Sequence, residues 1–386
     1  MNIDLIQRIC VFEFSDPENV VDDYILDIVD SLNSVSERLI VIINGLDVFS
    51  GEEKLFRYTS EVIHRKNQGM DGGAFKDALL NHIGFDSIRK YDELILCNDT
   101  FYGFFFSLND VFMEMTSENC DFWGMTRQLE TCMDDNNTES SYIQSYFLVY
   151  RHNIIFDDRF YDFWKNLKEP KTFQENIRNF EISLDMQLNH WGYKSKAYMD
   201  IHQSDVNRIR GENVYLTRPF DLIRDNRLPL LKRKSLDFSC KGMRQSLDAL
   251  EYLRVCGLYD VDKILRNIRR LYCMDVLEGR LNLKKLEKFT EDYKKIYIYG
   301  AGVFGRNLSF VLSKRGIKAM GYIVSEKYDE KSKNIFTPEE INWDKDTGVI
   351  IAISRRGDFW DMYNTIIDFC QSNQILSPYF KRIEEV

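Results

Sequence analysis

Two hydrophobic periods run along the 386-residue chain and change places at short intervals. Residues 7–14 (QRICVFEF), 38–44 (RLIVIIN), 61–65 (EVIHR) and 92–97 (DELILC) are short, mostly apolar runs. Such runs, unbroken by alternation, predict strands buried on both faces of a parallel sheet. Between them, 19–33 and 73–83 carry apolar residues at helical spacing, and 108–118 and 158–168 do so further on. Strands are predicted near 120–126 and 142–151, and a helix within 174–194 (containing NFEISLDMQLNHWGY) that ends at Gly192. Strand and helix alternate through the first ~130 residues, so the fold class is a layered α/β one. Residues 206–240 read as mixed, and 241–292 as two or three helices. At 295 a second α/β unit begins: KKIYIYGAGVFGRNLSFVLSKRG is strand, glycine turn and helix, followed by strands in KAMGYIVSE and DTGVIIAIS.

Composition narrows the class. The chain is 44% hydrophobic and 29% charged, with 6 Pro and 20 Gly, which excludes collagen-like and wholly disordered chains. Eight cysteines form no C-x-x-C pair and have no histidine at zinc-ligand spacing, as expected for free thiols in a reducing cytosol. The N-terminus lacks a basic segment followed by an apolar one, and no apolar run reaches the ~18–20 residues of a membrane span. The expected location is cytoplasmic. Net charge is −10, unevenly spread: −18 over residues 1–205, +8 over 206–300 and zero over 301–386. Nucleic acid is therefore not an expected partner. The basic stretch, with Lys232-Arg233-Lys234 and Arg266, Arg269 and Arg270, is a set of solvated faces, a peripheral contact with the anionic inner face of a membrane, or an intramolecular partner that neutralises the acidic N-terminal domain.

Candidate chemistry gathers where strands end. HRKNQGMDGGAF (64–75) places Asn67, Gly69, Asp71 and Gly73 in a turn between strand and helix. In open α/β sheets ligands bind at the carboxyl edge, and a helix N-terminus there receives an anion such as a diphosphate. ILCNDTFYG (95–103) brings Asn98 and Asp99 to the same edge, with Tyr102 beyond them. A carboxylate beside a diphosphate can hold Mn²⁺ or Mg²⁺, which makes Asp99 the candidate metal ligand. Asn44, ending its strand, and Asp77 complete the set of candidates at this edge. DFWGMTR and YIQSYFLVYR set Gln144, Ser145 and Tyr146 beside Trp123, a pattern that suits a sugar pocket or a core. Glu181 and Asp185, four residues apart on one helical face, are candidate general bases.

Residues of about 60–235 resemble the rhamnan synthesis F proteins, bacterial glycosyltransferases of cell-surface polysaccharide assembly. The matching pieces are NQGMDGGAFKDAL, YDELILCNDTFYG, DFWGMT, IQSYFLVYR, FWKNL, FEISLDMQL and LPLLKRKS. The resemblance implies a GT-A-like domain over 1–240, a nucleotide-sugar donor (dTDP-rhamnose in the name-giving members) and a polysaccharide or lipid-linked acceptor. Residues 241–293 would be a helical connector and 294–386 a Rossmann-like module. GT-A enzymes carry a DxD metal motif; Cys97-Asn98-Asp99 stands there with only the last acid. Many place their base about eleven residues before a Gly-aromatic pair, and Glu181 precedes Gly192-Tyr193 by that spacing.

In the C-terminal unit, Gly300, Gly302 and Gly305 form G-x-G-x-x-G after a strand, with Glu326 after the next strand. Such glycines allow close approach to a pyrophosphate, and the acid meets a ribose. No hydride-transfer residues accompany them, so NAD is not expected and a structural role is the alternative. The resulting expectation is an inverting glycosyltransferase that moves rhamnose or a related sugar. The competing readings are an oxidoreductase or epimerase built on the glycine motif, and a non-catalytic sugar-binding scaffold.

Overall fold

A computed structural model describes residues 6–131, 139–200, 213–237, 240–271, 283–326, 334–353 and 356–377. The chain divides into two compact units, residues 1–264 and 265–386.

The first unit is built on a mixed sheet. Strands β1 (Arg8–Phe14), β2 (Arg38–Asn44), β3 (Val62–Arg65) and β4 (Glu93–Asn98) run parallel in the order β3-β2-β1-β4. Every residue of β1 and β4 is buried, which is why these segments read as unbroken apolar runs. Beyond β4 the sheet turns antiparallel through β6 (Phe122–Thr131), β7 (Glu139–Ile143) and β8 (Phe147–Arg151), in the order β4-β8-β6-β7. A further strand, β9 (Ser195–Met199), pairs parallel with β6. One face is covered by a core that includes Phe75, Leu79, Trp164, Phe180 and Leu188.

Three features depart from the local reading. The segment 142–151 is two strands, because the backbone turns at Gln144–Tyr146 between β7 and β8. Residues 230–232 are not irregular: β10 (Leu230–Lys232) pairs antiparallel with β5 (Phe101–Gly103). This pairing needs Gly103, since a Cβ there would lie 2.7 Å from the Pro229 carbonyl oxygen. Trp123, a candidate for the sugar pocket, is fully buried between Phe112 and Phe147, with ring centroids 5.0 and 5.7 Å away. It is a core residue, as its strand position between two buried faces requires.

The second unit has a five-stranded parallel sheet, β13-β12-β11-β14-β15, from β11 (Lys295–Tyr299), β12 (Gly321–Ile323), β13 (Ile335–Phe336), β14 (Thr347–Ile351) and β15 (Ile375–Leu376). The glycine turn follows the central strand and leads into the helix Val303–Ser313. Gly305 is sterically required, because a Cβ would meet the Gly300 carbonyl oxygen at 1.8 Å. Gly302 faces open space and Glu326 is exposed. Leu286 and Phe289, on the helix Leu283–Asp292, join this unit's core. Among the described residues no helix is long and apolar enough to cross a membrane.

Candidate active site

The parallel strands end on polar residues, and those residues meet. β1 presents Glu13, β2 Asn44, β3 Arg65 and β4 Asn98 at the carboxyl edge. Asn44 donates from Nδ2 to Glu13 Oε2 at 2.5 Å and accepts from Arg65 Nη1 at 2.6 Å. Arg65 also donates through Nε to Asp77 Oδ2 at 3.2 Å, so Asp77 stands on the flank of the cluster. Asn98 folds its Oδ1 back onto the Thr100 amide and hydroxyl, at 3.1 and 2.8 Å, and donates from Nδ2 to Asp71.

Asp71 is the hub. It sits in the first turn of the helix Met70–Asp77, which Gly69 opens with a left-handed φ of 76°. Its Oδ2 accepts from Asn98 Nδ2 at 3.0 Å and Ser145 Oγ at 3.2 Å, and its Oδ1 accepts from Asn176 Nδ2. The close approach of Asn176 depends on Gly72, where a Cβ would lie 2.8 Å from Asn176 Oδ1. Asn67, by contrast, is exposed, and Gly69 and Gly73 act through the turn, with the Gly73 amide donating to the Gly69 carbonyl at 2.6 Å.

The two candidate bases hold the β7–β8 turn from one side. Asp185 Oδ1 accepts from the Ile143 amide at 3.0 Å, and Glu181 Oε2 accepts from the Ser145 amide at 3.2 Å. Glu181 lies in a π-helical turn, Ile177–Ile182, that joins two α-helical segments; such turns occur often at functional sites. Burial raises the Glu181 carboxyl to about 7, with the Asp71 charge adding to the rise. Asp185 is raised to about 6, also by burial, but its second oxygen accepts from Asn189 Nδ2 at 2.7 Å. Glu181 faces the Asp71 hub electrostatically, whereas the groups acting on Asp185 are Ile143, Arg127 and Asn189. Burial raises Asp71, Asp99 and Glu13 as well, and the charges of Asp71 and Asp99 reinforce the effect at Glu13.

Asp99 is held by two side chains. Its carboxylate accepts from Tyr24 Oη at 3.2 Å and from Arg233 Nη1 at 2.6 Å, while Arg233 also donates to the Asp99 carbonyl at 3.1 Å. Tyr102 lies behind, edge-on to Tyr24 at 4.9 Å, and is buried. Tyr24 and Arg233 both meet Oδ2 of Asp99, so the guanidinium already supplies a positive partner to the candidate metal ligand. Among the described residues, no group of three or more His, Cys, Asp or Glu is arranged to hold a metal. Lys232 lies beside this pair. Its Nζ donates to Thr100 Oγ1 at 2.8 Å and stands 3.8 Å from the centroid of Tyr146, whose hydroxyl meets Thr126 Oγ1 at 2.6 Å. Thr126 also donates to Gln144 Oε1 at 2.8 Å. Burial lowers the Lys232 ammonium to about 8, against the charges of Glu181, Asp71 and Asp99, which favour the protonated form.

Asn44, Asp71, Asn98, Asp99, Ser145, Tyr146 and Glu181 are thus brought together, with Gln144 at the rim. Sequence reasoning missed Glu13, Arg65 and Asn176, and did not place Lys232 and Arg233 at the site. A signal existed for Glu13, a lone charge inside an apolar strand. Of the readings the basic run allows, the intramolecular one holds for Arg233, which pairs with Asp99 of the acidic stretch at 2.6 Å, and both Lys232 and Arg233 turn inward because β10 pairs with β5.

A model of the family described as rhamnan synthesis protein F matches residues 39–309. A curated relative, uncharacterized protein y4gN of Sinorhizobium fredii, is 24% identical over 181 residues, 44% of this chain and 46% of its own length. The chain therefore spans about half the length of that relative. Among solved structures, 4-diphosphocytidyl-2C-methyl-D-erythritol synthase from Anaerococcus prevotii aligns at a TM-score of 0.32 and 11% identity, over 51% of this chain and 88% of its own. The WbbM bifunctional glycosyltransferase aligns at 0.28 and 13%, over 50% and 39%.

Proposed function

The chain belongs to the rhamnan synthesis protein F family, and from that premise we propose that it is a glycosyltransferase of polysaccharide synthesis whose donor is a nucleotide sugar. The observation that carries the reading is the buried cluster at the carboxyl edge of β1, β2 and β4, with Glu181 poised at about 7 beside it. Near neutrality such a carboxyl is half ionised, so it can take a proton from a hydroxyl and still be a fair acid afterwards.

The chemistry is one displacement. The oxygen of an acceptor hydroxyl forms a bond to the donor's anomeric carbon, and the bond from that carbon to the diphosphate oxygen breaks. The hydroxyl proton passes to Glu181, and the nucleoside diphosphate leaves with the electron pair. A single base and a single displacement invert the anomeric centre. Rhamnose or a related sugar is the proposed cargo, and a glycan or lipid-linked saccharide the acceptor. Asp71 is a positioning residue: through Asn98, Ser145 and Asn176 it ties the β4 end, the β7–β8 turn and the helical segment of Glu181 into one frame.

The test is a panel of dTDP-, UDP- and GDP-sugars with candidate acceptors, read as nucleoside diphosphate released. One donor is expected to turn over, and Glu181→Gln to stop it. Failure of every donor to bind or react would refute the assignment; tight binding without turnover would favour a sugar-binding role.

A further inference from the structure

We propose that Lys232 receives the donor's diphosphate, and that Arg233 keeps Asp99 neutralised so that Lys232's charge is left for the ligand. The inference rests on the glycosyltransferase reading and deepens it.

Four carboxyl side chains, Glu13, Asp71, Asp99 and Glu181, crowd the sheet edge where a dianionic diphosphate would have to sit. Left as they are, they would repel it. Asp99 is cancelled by Arg233 at 2.6 Å, and the same guanidinium donates to the Asp99 carbonyl, so its orientation is set twice. Asn44, itself held by Arg65, covers Glu13, and amides and a hydroxyl cover Asp71. Lys232 is the cation left over. Among the described residues it has no carboxylate oxygen within 4.0 Å, and what it touches there is one hydroxyl and one aromatic ring. An ammonium has three N–H donors, and Thr100 uses one. The Tyr146 ring beneath it limits where the head can swing, and the β5–β10 pairing sets Lys232 opposite Phe101, two residues past Asp99. A partly buried, oriented cation with unused donors, at the edge where parallel sheets bind ligands, is built for an anion. The alternative is that Lys232 only balances Glu181 and Asp71 within the fold.

The experiment is calorimetric titration of the full chain with inorganic pyrophosphate, dTDP, UDP and GDP in EDTA, then in Mn²⁺. Wild type is expected to bind a nucleoside diphosphate in EDTA. Lys232→Gln should weaken it roughly 10- to 100-fold, the scale of one hydrogen bond to a charged group, and Lys232→Arg should recover most of the loss. A second measurement needs no variant: acetic anhydride should acylate Lys232 more slowly when the nucleotide is bound. Binding that requires Mn²⁺ and ignores Lys232→Gln, or acylation that the nucleotide does not slow, would overturn the inference and leave the glycosyltransferase reading standing. No binding of any nucleoside diphosphate under either condition would overturn both.

Discussion

Replacing Glu181 with Gln should stabilise the first unit while slowing its chemistry. In the folded chain the Glu181 carboxyl is held at about 7, against an ordinary value of 4.5, because burial penalises its charge. Between these two values the folded state binds the proton and the unfolded state has released it. Stability contributed by this group is therefore lost as pH rises from 4.5 and is wholly lost above 7. The gap of two to three pH units amounts to about 3 kcal/mol at pH 8. Gln carries no charge, keeps nearly the same shape and retains an oxygen to accept from the Ser145 amide. The variant should therefore melt several degrees above wild type at pH 8 and close to it at pH 5. Turnover should fall by roughly 10²–10⁴-fold, the usual contribution of a general base. Wild-type kcat/KM should decline about tenfold per pH unit below 7, as the base becomes protonated. Thermal unfolding from pH 5 to 9, run beside initial rates of diphosphate release, measures all three. A Gln variant less stable than wild type at pH 8 would show that the carboxylate is held as a favourable charge. The argument for a poised base would then fail.

The Asp99–Arg233 pair gives the opposite sign. Asp99→Asn leaves a largely buried guanidinium without its counter-ion, and should cost about 3 kcal/mol in urea unfolding; an unchanged midpoint would mean the pair is solvent-screened. In the second unit, Gly305→Ala should destabilise by several kcal/mol, since the methyl would sit 1.8 Å from the Gly300 oxygen. Gly302→Ala, facing open space, should leave unfolding within about 0.5 kcal/mol of wild type. If that unit binds a nucleotide phosphate at the glycine turn, Gly302→Ala should nonetheless weaken nucleotide-induced thermal shifts; equal shifts would assign the glycines to folding alone. Trp123→Ala should unfold the first unit by about 3–5 kcal/mol without a specific effect on donor affinity, measured on whatever folded fraction remains.

The strand and helix order was legible because periodicity is a local property. β1, β2 and β4 are apolar on both faces, and the residues that end them, Asn44, Asn98 and Asp99, could be placed at one edge from strand direction alone. The four-residue spacing of Glu181 and Asp185 likewise set both on the face that meets residues 143–145. What the sequence did not carry was partnership across long separations. Lys232 meets Thr100 across 132 positions, and Arg233 meets Tyr24 across 209. Both contacts depend on a three-residue ribbon, β5–β10, too short to leave a periodic signature. A lysine–arginine–lysine run looks the same whether it faces solvent or a buried carboxylate, since composition is blind to the opposite strand. The split of 142–151 arose in the same way: helix-borne carboxylates capture the Ile143 and Ser145 amides, and the chain turns between them. Local pattern determined most of the segments that became strands and helices, β5, β10 and the break between β7 and β8 excepted. Only tertiary pairing decided which charges would neutralise one another at the sheet edge, because a charge's free energy is set by its neighbours in space.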